Sequence, residues 1–554
     1  MRDKKGLPVL VVLVLIFLVA AAGGITFLVK RHTPTKEHMD KNEYYGITAE
    51  DQVALVINGY VSETQGKMID GVVYIDYDTV SNYINPRFYW DQENQMMIYA
   101  LPTEIVEADL SQDSADYHMV DGQVYLSIDL VRNYTDMDCT VLDSPNRVVI
   151  QNRWDEIRQT TVSRDVAVRY RGGIKSPILT EIAAGTSLWV LDESLGDWIG
   201  VTTEDGYTGY IETSDAGEIT DRPNEHVSQA PEYSGSARDY KINMAFHQTT
   251  SQAANEAVDV MLEQVSGVNV IAPTWYFIDD TSGSLYDLSS SVYVETVHNM
   301  GMEVWAVLND FDGGIASREE TYTVLKNTES RRKIIRTLMD SILASGIDGV
   351  NVDIEKVSEE CAPHYLQFIR ELSVSCRNNG IVLSVDNYVP REYSAYFNRK
   401  EQGIVADYVV IMGYDEHFSG SDEAGSVASL PFVEEGIIRT LEEVPAEKII
   451  NAIPFYTRIW LTDNSGMVSS TACGMDEAEA FLADNSLETY WDKETSQNYA
   501  ELQNEDGYYQ IWLEDAASIE EKMKLIQNYG LGGVAEWKLG FEQPQIWEII
   551  EDYL

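Results

Sequence analysis

From Tyr240 onward the chain repeats one pattern, a short apolar run followed by a longer stretch of helical character. The runs are KINMAF, NVIAPTW, MEVWAVL, GVNVDIE, IVLSVD, DYVVIMGY, IINAIPF and GGVAEW. Apolar runs of this length, rich in β-branched residues and separated by helical stretches, predict strands of a mainly parallel sheet. Eight such units over about 310 residues is the arithmetic of an α/β fold of the (β/α)8, or TIM, barrel type. The longest interval, Trp460 to Gly532, predicts an insertion at about 461–515 with its own strands around GMVSST and YYQIWLE.

Upstream, the pattern is different. An uncharged apolar run from Leu7 to Val29 follows a basic tip at 1–6, and as a helix it would rise roughly 34 Å at 1.5 Å per residue. That predicts a transmembrane signal anchor at 7–29, with signal cleavage near Ala20 to Ala22 as the alternative. A polar stalk at 30–50 comes next. Then DGVVYIDYDTVSNYINPRFYWDQENQMMIYA, from Asp70, is echoed by DGQVYLSIDLVRNYTDMDCTVLDSPNRVVIQ, from Asp121. Each copy predicts a turn, a strand, a short helix and another strand, so 51–152 should form one α+β module. Residues 160–214 read as short alternating strands between Gly and Asp turns, which predicts a small β-barrel. A linker at 215–238 leads to the domain at 239–554.

The fourth strand of the large domain carries the chemistry. In DGVNVDIE, Asp348 to Glu355, alternation places Asn351, Asp353 and Glu355 on one side and Val350, Val352 and Ile354 on the other. The apolar side should pack on helices while the polar side points into the barrel mouth, where such folds keep their catalytic groups. Other strand ends add to the same mouth: Met412, Tyr414 and Asp415 in MGYD, Tyr456 and Arg458 in IPFYTRIW, Glu536 and Trp537 in AEW. Asn309, Asp310 and Tyr388 follow the third and fifth strands and could border it, whereas His417 reads as a loop residue. Carboxylates, phenols and an indole in one ring suit a sugar, since aromatic faces stack on pyranoses and polar tips bond hydroxyls and amides.

These motifs carry a resemblance. DGVNVDIE, with MGYD, IPFY and Trp537, is similar to the signature set of glycoside hydrolase family 18, the chitinase-like family, over essentially all of 240–554. The resemblance implies a retaining glycosidase that uses the substrate's N-acetyl group as nucleophile, an exception among two-carboxylate glycosidases. Glu355 would be the general acid and then base, and Asp353 would orient the acetamide and stabilise the intermediate. Tyr414 would donate to the acetamide carbonyl, with Asp348 and Asn351 completing the catalytic set. Met412, Asp415, Tyr456, Arg458 and Trp537 would bind the sugar, Trp537 as a floor. Asn351 departs from the signature, where chitinases have Asp. Removing that carboxylate should leave Asp353 ionised to lower pH, and Asn at this place resembles the spore-associated branch, whose members act on peptidoglycan. Residues 51–152 resemble the module named after the N-terminal domain of copper amine oxidases, and 160–214 the bacterial SH3-like domain, which implies cell-wall binding or a spacer.

Composition narrows the partners. Against 39 basic residues stand 91 acidic ones, a formal net charge of −52, which disfavours nucleic acid and anionic membrane surfaces. Four cysteines, Cys139, Cys361, Cys376 and Cys473, are too scattered for a disulfide framework, and no spacing suggests a metal or other cofactor. The reading is thus a glycosidase of N-acetylglucosamine-containing glycans, peptidoglycan or its fragments, with its body outside the cytoplasmic membrane. Chitin or chitooligosaccharide hydrolysis is the second reading. A non-catalytic carbohydrate-binding wall protein on a hydrolase scaffold is the third.

Overall fold

The computed structural model describes residues 7–111, 114–154, 157–222, 226–228, 230–233 and 235–554, with side chains outside 7–10 and 23–28. The chain forms two compact units, one of 1–97 with 107–230 and one of 98–106 with 231–554. The apolar run near the start lies in a helix, Leu7–His32. Among the described residues no helix is long and apolar enough to cross a membrane, so the expected transmembrane anchor at 7–29 is not supported.

In the first unit both copies of the repeat form a strand running into a short helix. Asp76 and Ser127, equivalent positions, accept the backbone N–H of Thr79 (2.9 Å) and Leu130 (3.1 Å) and so start those helices. The two strands pair antiparallel with Ile75 opposite Leu126, again equivalent positions, inside a seven-stranded sheet. Residues 158–221 form a second seven-stranded antiparallel sheet around Val166, Val168, Leu188, Ile199, Val201 and Ile211.

The second unit holds all eight expected barrel strands. They are β1 (Ile242–His247), β2 (Val270–Ile278), β3 (Glu303–Asn309), β4 (Gly349–Asp353), β5 (Val382–Tyr388), β6 (Tyr408–Met412), β7 (Ile449–Pro454) and β8 (Gly533–Trp537). Each pairs in parallel with the next, and β1 pairs with both β2 and β8, which closes the barrel. The insertion forms a five-stranded antiparallel sheet that begins at Tyr456.

Alternation divides the strands between two cores. Met244, Trp305, Val307, Val410, Ala452 and Ala535 fill the barrel interior, while Val350, Val352, Val385, Val409, Ile453 and Val534 face the helices. The lower interior explains the glycine before the acidic run. A Cβ on Gly349 would lie 2.6 Å from the buried Trp305 ring, which itself stacks on Tyr408.

Strand β4 is bracketed by two helices, α1 (Thr328–Ser345) and α2 (Ala362–Asn379). Asn327 caps α1 by accepting from Ser330 N–H at 2.9 Å, and Gly346 ends it at φ 72°. Arg331 of α1 is fully buried and bonds Glu371 of α2 through two contacts, at 3.0 and 3.2 Å, while also donating to the Leu325 carbonyl at 2.7 Å. Glu371→Gln would leave the Arg331 charge buried without its counter-ion. The expected cost is about 3–5 kcal/mol, read as a lower thermal midpoint of the barrel; an unchanged midpoint would show that the pair does not hold α1 to α2.

Candidate active site

Strand β4 delivers its side chains as alternation requires. Asn351 and Asp353 point inward and are buried, and the strand ends at Asp353, so Glu355 stands in the loop just above. That loop is tied down from β3. The Asp310 carboxylate, itself buried, accepts backbone N–H bonds from Glu355 (3.0 Å) and Lys356 (3.1 Å) and a hydroxyl bond from Thr321 (2.7 Å). Lys356 completes the clamp by donating to the carbonyls of Asp310 (3.1 Å) and Ile315 (2.6 Å). Asp310 therefore positions the Glu355 backbone, and is not only a neighbour of the mouth.

Above β4 lies a cavity of about 180 Å³ lined by Gln248, Phe311, Asp353, Glu355, Tyr388, Met412, Tyr414, Asp415, Tyr456 and Trp537. It gathers Glu355, Asp353, Tyr414, Met412, Asp415, Tyr456 and Trp537 from the sequence reading. Tyr388 donates to the Glu355 carboxylate. Tyr456, at the start of the insertion, donates to Asp415. Asp415 and Tyr414 are adjacent in sequence and would face opposite ways in a strand; β6 stops at Met412, and Asp415 takes φ 59°, a left-handed turn that Asp tolerates. Trp537 packs its ring against Phe246 at 5.5 Å between centroids.

Three expectations need correction. Asp348 precedes β4 at the opposite end of the barrel, five residues and roughly 16 Å from Asp353 at 3.3 Å per residue. There it accepts from His298 (2.8 Å) and from the Val304 N–H (2.9 Å), which is a structural role. Arg458 does not line the cavity; one position further along the same face of the insertion strand, it donates to Ser470 at 3.2 Å. Asn351 does not relieve Asp353 of a like charge. Its amide donates to Ser384 (3.0 Å) and to Asp386 (2.7 Å) on β5, and Asp386 is the carboxylate that takes the missing place beside Asp353.

Burial, then Asp386, Glu355, Asp310 and Asp312, push the Asp353 carboxyl well above the usual range. Burial also raises Glu355; the Tyr388 hydroxyl counteracts it, while Asp310, Asp415 and Asp312 add to it. Burial raises Asp386 to about 8 against the lowering bond from Asn351. A site of this kind keeps carboxylic acids protonated near neutrality, the state a general acid needs. Asp386 was missed although SVDNY alternates Ser384, Asp386 and Tyr388 on one face as clearly as β4 does. Among the described residues, no group of three or more His, Cys, Asp or Glu side chains is arranged to hold a metal ion.

The family model described as "Glycosyl hydrolases family 18" matches residues 307–542. The barrel unit is thus similar to glycoside hydrolase family 18 over most of its length. A second model, "Bacterial dipeptidyl-peptidase Sh3 domain", matches 169–215, within the second sheet of the first unit. The chain is 24% identical over 278 residues to the cortical fragment-lytic enzyme of Bacillus anthracis and 27% over 247 residues to that of Bacillus subtilis. These alignments cover 48% and 43% of this chain and 64% and 57% of the relatives, so the chain spans less than two thirds of their length. The Bacillus cereus spore cortex-lytic enzyme SleL shares the fold at TM-score 0.52 and 21% identity, over 59% of this chain and 78% of SleL. The chitinase of Chromobacterium violaceum does so at 0.51 and 21%, over 56% and 98%. Within the matched region, the strand-end residues of β4, β6 and β8 converge on one cavity.

Removing the Asp386 carboxyl should change stability with pH in a defined direction. A carboxyl whose folded pKa is raised destabilises the native state only above its unfolded pKa, about 3.9, and increasingly until the folded pKa is passed. Asp386→Asn should therefore gain stability relative to the parent as pH rises from about 4 to about 8. Thermal midpoints at pH 4, 6 and 8 test this, and a constant difference between the two proteins would refute it.

Proposed function

We propose that the barrel unit hydrolyses β-1,4 linkages next to N-acetylglucosamine in peptidoglycan or its fragments, with retained configuration. The observation that carries the reading is the pairing of Glu355, raised by burial and held at the cavity edge, with Asp353, whose Oδ1 is buried without a hydrogen-bond partner among the described residues. An unpartnered acceptor at that depth is costly unless a ligand donor completes it. The N–H of a substrate acetamide is such a donor.

With the sugar on Trp537, Glu355 protonates the glycosidic oxygen while the acetamide oxygen attacks the anomeric carbon. Asp353 holds the acetamide N–H, and the Tyr414 hydroxyl donates to its oxygen. Water then enters, Glu355 takes its proton, and attack on the same face restores the starting configuration. Peptidoglycan is favoured over chitin by the two cortical fragment-lytic relatives and by the matched bacterial SH3 family. The fold shared with a chitinase keeps chitooligosaccharides as the second substrate class. A wall glycan as substrate puts the body of the protein outside the cytoplasmic membrane, a placement that rests on the substrate and not on the Leu7–His32 helix. Protease treatment of intact cells should then degrade the body.

Incubating the full chain with purified peptidoglycan and, separately, chitin oligomers, followed by mass spectrometry, tests the assignment. New reducing ends should appear from peptidoglycan, and Glu355→Gln should lower the rate by roughly 10²- to 10⁴-fold. Binding to either glycan without product from the parent would leave a carbohydrate-binding protein instead of an enzyme. A second measurement reads the acid directly. Tyr388 lowers the pKa of Glu355, so Tyr388→Phe should move the alkaline limb of kcat/KM to higher pH; a limb that moves down or stays would show that another group sets it.

A further inference from the structure

The hydrogen bonds of Asn351 expose a pair of acids that the β4 motif does not contain. Both hydrogens of the amide are used on β5, by Ser384 and by Asp386 Oδ1. The β4–β5 register runs Asn351 with Ser384 and Val352 with Val385, which sets Asp353 beside Asp386 at the top of the ladder, with strands roughly 4.8 Å apart. Both are on the inner face and buried, at 7% and 4% exposure. The titratable groups facing them are Glu355 and Asp310, Asp312 beyond it, and the phenols of Tyr414, of Tyr388 on β5 and of Tyr365 on α2. None of these is a cation. Two carboxylates side by side in such surroundings do not both ionise; they keep one proton between them.

We propose that Asp386 is the proton-sharing partner of Asp353, standing on β5 in place of the carboxylate that Asn351 has replaced on β4. This rests on the glycosidase reading for its role in turnover, although the shared proton itself does not. In the free protein the amide bond from Asn351 offsets part of the burial that raises Asp386, so the shared proton lies more on Asp353 than on Asp386. As the acetamide oxygen bonds to the anomeric carbon and the Glu355 proton leaves with the aglycone oxygen, positive charge builds on the acetamide nitrogen. The Asp353 proton then passes to the Asp386 carboxylate, which leaves Asp353 anionic against the charged N–H. When water opens the intermediate and Glu355 recovers a proton from it, the proton on Asp386 returns to Asp353. The pair holds one proton and one negative charge throughout, so no charge is added to or removed from the buried site.

The experiment uses the full chain carrying Glu355→Gln, which neither turns over nor contributes its own carboxyl. Infrared difference spectra at neutral pH should show one protonated-carboxyl C=O band from the pair, moved in frequency by Asp386→Asn and by Asp353→Asn alike, because each variant removes the carboxyl that shares the proton. A band unmoved by Asp386→Asn would overturn the proposal. In the background that retains Glu355, Asp386→Asn should lower kcat by at least about tenfold with little change in KM. The swap Asn351→Asp with Asp386→Asn, which keeps an acid and an amide in contact, should recover most of that loss; a swap no better than the single variant would also overturn it. The infrared result needs no substrate. Absence of turnover in the parent would therefore count against the glycosidase reading alone, while an unmoved band would count against Asp386 alone.

Discussion

The site depends on one constraint: a set of carboxyl groups is taken out of water side by side, with the half-buried Lys356 ammonium answering Asp310. Asp310, Asp353 and Asp386 are each at most 7% exposed, and Glu355 sits just above them. An isolated ionised carboxylate would be prohibitively costly there, so the groups respond by holding protons or by accepting N–H bonds. Each uses a different solution. Asp310 takes two backbone N–H groups and a hydroxyl, Asp386 takes an amide, Glu355 takes a phenol, and Asp353 is left with an open acceptor. The barrel makes this possible because its closure supplies neighbours on both sides of every strand while Trp305 and Tyr408 keep the lower interior dry.

The same closure explains what could be read from the chain alone. Period-two alternation is a local property, so all eight strands, and the inward direction of Asn351 and Asp353, were legible from KINMAF to GGVAEW. What alternation does not show is which residue meets which across the ladder. Asn351 and Asp386 are 35 positions apart, and their 2.7 Å bond decides the electrostatics of the catalytic strand. Reading β4 by itself led to the opposite conclusion, that Asn351 would free Asp353 from a like charge. Asp348 failed for a related reason: membership of a motif says nothing about the end of the strand at which a residue lies. Asp415 lines the cavity although the alternation argument behind it did not apply, because a left-handed backbone at φ 59° turns it back toward the cleft.

The division between the two faces of Asp310 also clarifies why β3 matters to chemistry on β4. A general acid must stay within hydrogen-bond reach of the glycosidic oxygen, and Glu355 lies past the end of its strand where pairing no longer holds it. The two N–H bonds to Asp310 replace the missing ladder bonds, and Lys356 closes the loop onto the β3 segment from the other side. Glu355 is thus fixed by backbone contacts, and among the described residues its carboxylate accepts from the Tyr388 hydroxyl alone.

The net charge of −52 invites the view that the whole acidic surface keeps Glu355 protonated. Magnitudes argue otherwise. At physiological ionic strength the Debye length is about 8 Å, so exposed acids beyond that distance are largely screened, whereas buried neighbours are screened far less. The groups that raise Glu355 are its own burial first and then Asp310, Asp415 and Asp312, all at the same mouth. Surface acidity therefore governs which polymers approach, while the local cluster sets the protonation state. It follows that raising the salt concentration should alter the approach of a charged polymer much more than the pKa of Glu355.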